Sequence, residues 1–335
     1  MDPGQFFATS RLVIVAGKGG VGKTTVSAAL ARGAARAGLT TLIIEVEGKC
    51  GLASMFGQPQ LGYDEVVLSA GGGPSGAADV RARTLTADDA LIEYLEDHGM
   101  RRISKRLVSS GAIDVVATAA PGIKDILLLG KVKQLERAGN VDLVVLDAPA
   151  AGHAITFLQS ARGLLDAVRV GPINTQARDV LELLTDPARC QVMLVTLPEE
   201  TPVNELVDTA YQLEDRVGVS LGPVVVNGLY PDLPGIAANP AAAAKEAGAT
   251  LRKGEAKALA DAAEFRRQRT ALQEAQVARL NELLPLPQIH LPFLFDADLG
   301  PAELEVLADA LLEGVAGVDP AALGVGGAAT AGGGG

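Results

Sequence analysis

The stretch Leu12-Val13-Ile14-Val15-Ala16-Gly17-Lys18-Gly19-Gly20-Val21-Gly22-Lys23-Thr24-Thr25 decides the fold. Leu12 to Ala16 is a short apolar run of the kind that forms a buried strand, and the small-residue run Thr24 to Ala37, closed by Gly38, predicts a helix. The intervening spacing Gly-x-x-x-x-Gly-Lys-Thr belongs to a loop whose backbone N–H groups cradle a phosphate at a helix N-terminus. Glycines let those amides turn inward, Lys23 is in line to reach the β- and γ-phosphates, and the Thr24 hydroxyl can ligate Mg²⁺. Gly17, Lys18, Gly19, Gly20, Val21, Gly22, Lys23, Thr24 and Thr25 are therefore the expected nucleotide contacts.

A second lysine, Lys18, directly follows the first glycine. It is either a solvated charge or a group that projects toward the phosphates of a facing subunit, supplying in trans what an arginine finger supplies elsewhere. The second alternative requires a dimer.

Strand and helix patterns alternate along the chain, which predicts an α/β P-loop NTPase with a mostly parallel central sheet flanked by helices. Strands are predicted at 11–17, 40–47, 142–147, 191–196, 222–227 and 287–291, with edge strands at 65–69 and 80–85 around a Gly-rich loop. Helices are predicted near 175–185, 202–217, 255–284 and 301–315, and residues 87–138 read as an inserted helical subdomain. Residues 1–10 are expected to be a flexible N-terminus, 11–316 one P-loop ATPase domain, and 317–335 a disordered Gly/Ala-rich tail.

The form K-G-G-x-G-K-[ST] resembles the deviant-Walker ATPases, and most of all the arsenite-pump ATPase and the guided-entry tail-anchored protein targeting ATPase. The resemblance covers residues 11 to 316 and is particular for the actinobacterial anion-transporting ATPase-like branch, where two related subunits can be paired. The family's second strand runs into L-L-V-S-T-D-P-A-H-x-L, and here Leu42 to Leu52 occupies that place, so Glu47 falls on the water-orienting aspartate and Gly48 on the proline. The family's D-T-A-P-T-G-H is similar to Asp147-Ala148-Pro149-Ala150-Ala151-Gly152-His153, which keeps Asp147, Gly152 and His153 but has Ala151 for threonine. A carboxylate ending a buried strand beside the loop can hold Mg²⁺ through a water, or simply cap a helix. The resemblance thus implies Lys18, Glu47 and Asp147 as the catalytic group and Thr24, Glu47 and Asp147 as the metal group, with ATP and Mg²⁺ as cofactors.

It further implies an adenine contact at Asn227, whose amide offers the donor and acceptor that adenine requires, and a covering loop at Pro292 and Phe293. No [NT]-K-x-D guanine signature occurs, which favours ATP over GTP. Pro121-Gly122-Ile123-Lys124-Asp125 looks like the element that opens a helix in the family's helical subdomain.

With 48% apolar residues and only 3% aromatic, the core must be built from Val, Leu, Ile and Ala. The net charge of −11 opposes unassisted binding to nucleic acid or to an anionic membrane surface. No apolar stretch reaches the roughly 18 residues that span a bilayer, and no basic-then-apolar signal opens the chain, so a cytoplasmic location is expected. Cys50 and Cys190 form no C-x-x-C pair, which supports neither a zinc-clasped dimer nor a three-thiol arsenite site. Met100 is the only methionine in the insertion, and the basic cluster Arg101, Arg102, Lys105 and Arg106 is a docking patch or a solvated face.

The expected function is Mg²⁺-dependent ATP hydrolysis that opens and closes a dimer and handles an anion or a hydrophobic protein client. The expected partners are a second copy or a paralogous ATPase, with a protein client or membrane partner beyond them. The alternative is a nucleotide-binding, weakly active subunit that stabilises such a paralogue.

Overall fold

In the computed structural model the described residues are 1–46, 51–72, 76–97, 99–102, 122–149 and 151–323, without the side chains of Ala151, Gly152, His153 and Leu323. The strands are β1 (Leu12–Gly17), β2 (Thr41–Val46), β3 (Val66–Ser69), β4 (Val80–Leu85), β5 (Leu143–Asp147), β6 (Cys190–Thr196), β7 (Val224–Leu229) and β8 (Gln288–Pro292). They form one eight-stranded sheet in the order β3-β4-β2-β5-β1-β6-β7-β8, parallel throughout except for the antiparallel edge pair β3 and β4.

The helices among the described residues are α1 (Pro3–Phe7), α2 (Lys23–Arg36), α3 (Gly51–Met55), α4 (Ala87–Asp97), α5 (Ile123–Ala138) and α6 (Ala151–Ala167). They continue with α7 (Pro172–Thr185), α8 (Glu200–Arg216), α9 (Pro240–Glu246), α10 (Glu255–Leu283) and α11 (Pro301–Ala316).

Side chains of a strand alternate between faces, so a strand covered by helices on both sides is apolar at every position. β1 shows this directly: Leu12, Ile14 and Ala16 enter the core beneath α4 to α8, while Val13 and Val15 enter the core beneath α1, α2, α3 and α11. Small residues make the second core possible. α2 buries Ala28, Ala29, Ala31, Ala34 and Ala35, which lets its backbone approach both the sheet and α11.

The first ten residues are not the flexible start that the composition suggested. Asp2 caps α1 by accepting from the Gln5 amide at 3.0 Å, and Pro3 stands in the first turn, where its missing N–H costs nothing. Phe6 and Phe7 are buried, and Phe7 meets α2 at Gly33, where an added Cβ would lie 3.4 Å from the Phe7 ring. The N-terminal ammonium of Met1 then donates to the carbonyls of Ala316 and Val318. The same contacts order the beginning of the expected tail: Val318 is buried and Pro320–Leu323 forms a 3₁₀ turn, while 324–335 lie outside the described residues.

The inserted region begins with α4 and ends with α5, and Pro121, Lys105 and Arg106 lie outside the described residues. Ile126, Leu127, Leu128 and Leu129 are all buried, so this run of α5 faces the sheet and neighbouring helices rather than a partner. Glu93 of α4 pairs with Lys131 of α5 at 2.7 Å and accepts from the Tyr63 hydroxyl. Burial pushes the Glu93 carboxyl up, but the hydrogen bonds from Lys131 and Tyr63 outweigh it and hold the group below its ordinary value.

Phe7→Ala should therefore lower the urea midpoint of the whole protein by the equivalent of about 3 kcal/mol at an unchanged slope, as expected for a buried phenylalanine. A wild-type midpoint would mean that α1 is dispensable to the core.

Candidate nucleotide site

β1 ends at the centre of the sheet, between β5 and β6, and the chain turns through Lys18 to Gly22 into α2. From β1 the chain crosses to β2 on one side, whereas from β5 it returns to β6 on the other. A crevice opens at the carboxyl ends of strands where such a reversal occurs. The loop is held down in this crevice by close approach. Gly22 caps α2 with φ of 90°, a left-handed conformation that other residues rarely adopt, and a Cβ there would sit 2.2 Å from the Asn227 Nδ2. A Cβ on Gly17 would sit 2.4 Å from the Val195 carbonyl oxygen.

Lys23 is the first residue of α2 and is buried, and its Nζ donates back to the Lys18 carbonyl at 3.1 Å. Thr24 follows, and its Oγ1 donates to Oδ2 of Asp147 at 2.6 Å. Asp147 ends β5 and is fully buried, and the next amide, that of Ala148, donates to the Val15 carbonyl at 3.1 Å. The hydroxyl and the carboxylate, 123 residues apart in sequence, thus meet under the first turn of α2. Gly19 and Gly20 are exposed, Val21 is buried, and Thr25 is half-buried.

Lys18 does not extend freely. Its Nζ pairs with Oε1 of Glu205 on α8 at 2.6 Å, the two side chains being 41% and 43% exposed. Asn227 also differs from expectation, because β7 continues to Leu229 and places it inside the strand rather than at its end. Its Nδ2 donates to the Val21 carbonyl at 2.9 Å, so this amide tethers the loop to β7. Gln273 of α10 fixes the end of the same strand, donating to the Gly228 carbonyl at 3.1 Å and accepting from the Tyr230 amide at 2.9 Å.

Pro292 ends β8, and the Phe293 amide donates to the Leu229 carbonyl at 2.7 Å. The Phe293 ring stands edge-on to Tyr230 and to Phe295, with centroids 5.4 and 4.8 Å apart, and the Arg266 guanidinium lies 4.1 Å over the Tyr230 ring. Tyr230, Phe295 and Arg266 were not singled out from the sequence. The available signal was two aromatics just beyond strand ends in a chain with few aromatics. The structure brings Gly17 to Thr25, Asp147 and Asn227 together around one loop, with Pro292 and Phe293 at the end of the strand beyond β7. Glu47, the remaining expected catalytic residue, lies outside the described residues.

Among the described residues no group of three or more His, Cys, Asp and Glu gathers as a metal cluster. The Thr24 hydroxyl and Asp147 carboxylate are hard oxygen donors, the chemistry that suits Mg²⁺, a cation that takes its remaining ligands from water and phosphate. The glycine-rich loop beside them, in which Gly17 and Gly22 leave no room for a Cβ and Gly20 takes a left-handed φ of 85°, fits a phosphate chain. Cys190 is fully buried, and burial pushes its thiol up, with Glu136 adding to the effect, so it remains protonated and unreactive. Cys50 lies outside the described residues.

The family model described as "Anion-transporting ATPase" matches residues 10–170. ATPase BagA of Mycobacterium tuberculosis is 34% identical over 235 residues, covering 66% of this chain and 66% of that protein. The putative arsenical pump-driving ATPase of Halobacterium salinarum is 29% identical over 242 residues, 67% of this chain and 36% of the relative. ATPase get3 of Schizosaccharomyces japonicus is 27% identical over 177 residues, 50% of this chain and 52% of the relative.

Removing the Asn227 amide should loosen the loop that it tethers. Asn227→Ala is expected to weaken ATP binding about tenfold, the loss of roughly one hydrogen bond, as measured by titration calorimetry. Unchanged affinity would show that the loop needs no anchor on β7.

Proposed function

Because the chain belongs to the anion-transporting ATPase family, we propose that this ATPase couples Mg²⁺-dependent hydrolysis of ATP to the opening and closing of a dimer that handles an anion or a hydrophobic protein client. The observation that supports the reading is the Thr24 to Asp147 contact beside a loop whose Gly17 and Gly22 admit no Cβ, since hard oxygen atoms next to inward-turned amides suit Mg²⁺ and phosphate.

The amides at the N-terminus of α2 receive the phosphate chain, with the helix dipole favouring its charge. Lys23 exchanges the Lys18 carbonyl for phosphate oxygens, a stronger, charge-assisted partner. Bound Mg²⁺ supplies neutralisation of the charge on the β- and γ-phosphate oxygens. In this reading the base is bound beside Asn227 and the Pro292–Phe293 segment, and Glu47 orients the attacking water.

Lys18 reaches across to the nucleotide of a facing subunit. Its present pair with Glu205 is two-fifths exposed on both sides, and pairs of this kind contribute about 0.2–1 kcal/mol, so exchanging it for a phosphate contact costs little. The facing subunit is a second copy or a paralogue. The longer carboxylate at Glu47, where the family has aspartate, favours a second reading in which the chain binds ATP, turns it over weakly and stabilises a more active paralogue.

Purified protein tests both readings. Lys18→Ala is expected to bind ATP as the wild type does while turnover falls on the order of 10²-fold. Glu47→Gln should likewise retain ATP and accumulate the closed dimer. Mixed dimers of the two variants should regain activity, because one of their two composite sites then carries both intact residues. No recovery in dimers shown to exchange subunits would contradict the trans role, and wild-type turnover by Glu47→Gln would remove Glu47 from the mechanism.

A further inference from the structure

β2 and β5 are apolar apart from Thr41, Glu45 and Asp147, while β4 also carries Arg81, Arg83 and Thr84, and three polar side chains lie in one row across the three strands. Glu45 of β2 is the register partner of Thr84 of β4 on one side and of Asp147 of β5 on the other. Register partners on adjacent strands point to the same face of a sheet. That face is the one covered by α2: Ile43 of β2, Val80 and Ala82 of β4, and Leu143 and Val145 of β5, all two or four residues from the row, belong to the core beneath it.

All three are buried, Thr84 at 6%, Glu45 at 1% and Asp147 at 0% relative exposure. Thr84 Oγ1 donates to Glu45 Oε2 at 3.2 Å, and Thr24 Oγ1 donates to Asp147 Oδ2 at 2.6 Å. A second buried carboxylate therefore stands one strand away from Asp147, at the position where the family form L-L-V-S-T-D has a serine.

Neighbouring strands are about 4.8 Å apart, and two ionised carboxylates at that range inside a protein disfavour one another. A cation held at Thr24 and Asp147 turns the repulsion from Glu45 into attraction, with the Thr84 hydroxyl keeping the carboxylate in place.

We infer that Glu45 is a positioning residue of the divalent-cation site: its charge, beside Asp147 in the β2–β5 register, raises the affinity of that site for Mg²⁺. The inference rests on the nucleotide and metal reading given above. It adds a role for β2 distinct from that of Glu47.

The test uses full-length protein saturated with ADP, which lacks the γ-phosphate that the reaction removes, and Mn²⁺ as a paramagnetic probe whose free fraction is read by electron paramagnetic resonance. Glu45→Gln is expected to weaken Mn²⁺ binding on the order of 10-fold, the range seen when an outer-shell partner of a metal ligand is removed. ADP affinity in excess chelator should not fall, because phosphate gains from the loss of a nearby negative charge. Glu45→Asp, which keeps the charge, should restore part of the Mn²⁺ affinity, a recovery that a purely structural role would not produce. Thr84→Val leaves the carboxylate but removes its donor, and a drop of a few-fold is expected, which keeps the inference testable if Glu45→Gln does not fold.

Wild-type Mn²⁺ affinity in Glu45→Gln, or in Thr84→Val if only that variant folds, would overturn the inference while leaving the metal site intact. Wild-type protein that takes up ADP but no Mn²⁺ would overturn the metal reading itself, and the inference with it.

Discussion

The hydrogen bond from Thr24 to Asp147 joins the first turn of α2 to the end of β5, and the site depends on that junction. Burying the Asp147 carboxylate carries a desolvation cost that hydrogen bonds must offset, and a hydrogen bond to a charged group contributes about 1.5–3 kcal/mol. The geometry is set by the cores on either side of the sheet. α2 brings its N-terminus to β5 over an inner face that is mostly alanine, with Val26 and Leu30 as its larger residues, and β5 ends at Asp147 with each of its residues buried. The position of the oxygen pair is thus a consequence of packing, and core substitutions beneath α2 reach the chemistry through it.

Around this fixed junction the cations are held by exchangeable partners. Lys23 rests on a carbonyl of its own loop and Lys18 on a half-exposed glutamate. The Lys18 pair, exposed on both sides, costs little to break, whereas the buried Lys23 ammonium leaves its carbonyl only for a partner at least as good. The loop backbone is different, since Gly17 and Gly22 are wedged against the Val195 carbonyl and the Asn227 amide. A rigid cradle with movable charges fits a site that must bind tightly and then respond to the state of its nucleotide.

The sequence made the P-loop and its flanking strand and helix legible because all the determinants lie within one short stretch. Asp147 was legible for a related reason, as a carboxylate ending an apolar run. What escaped depends on partners far along the chain. Lys18 and Glu205 are 187 residues apart, and nothing local marks their meeting. Asn227 was read as a strand-end residue, but its role as an anchor depends on the position of Val21, 206 residues earlier.

The helices α1, α3, α6 and α9 were not predicted, and for α6 and α1 local signals existed. Ala154, Phe157, Leu158, Ala161 and Leu164 have the three- and four-residue spacing of a buried helical face, a stretch to which no element was assigned. At the start of the chain, Asp2-Pro3 is a helix-opening pair, and Phe6 and Phe7 are the aromatics that α2 and α11 cover.

The most direct measurement of the central claim is specific activity against protein concentration. Phosphate release in saturating ATP and Mg²⁺ would be followed while mass is measured by light scattering in the same samples. The account predicts that turnover per chain rises as dimers form and levels off when dimerisation is complete. Constant turnover per chain from a protein that remains monomeric throughout would contradict it.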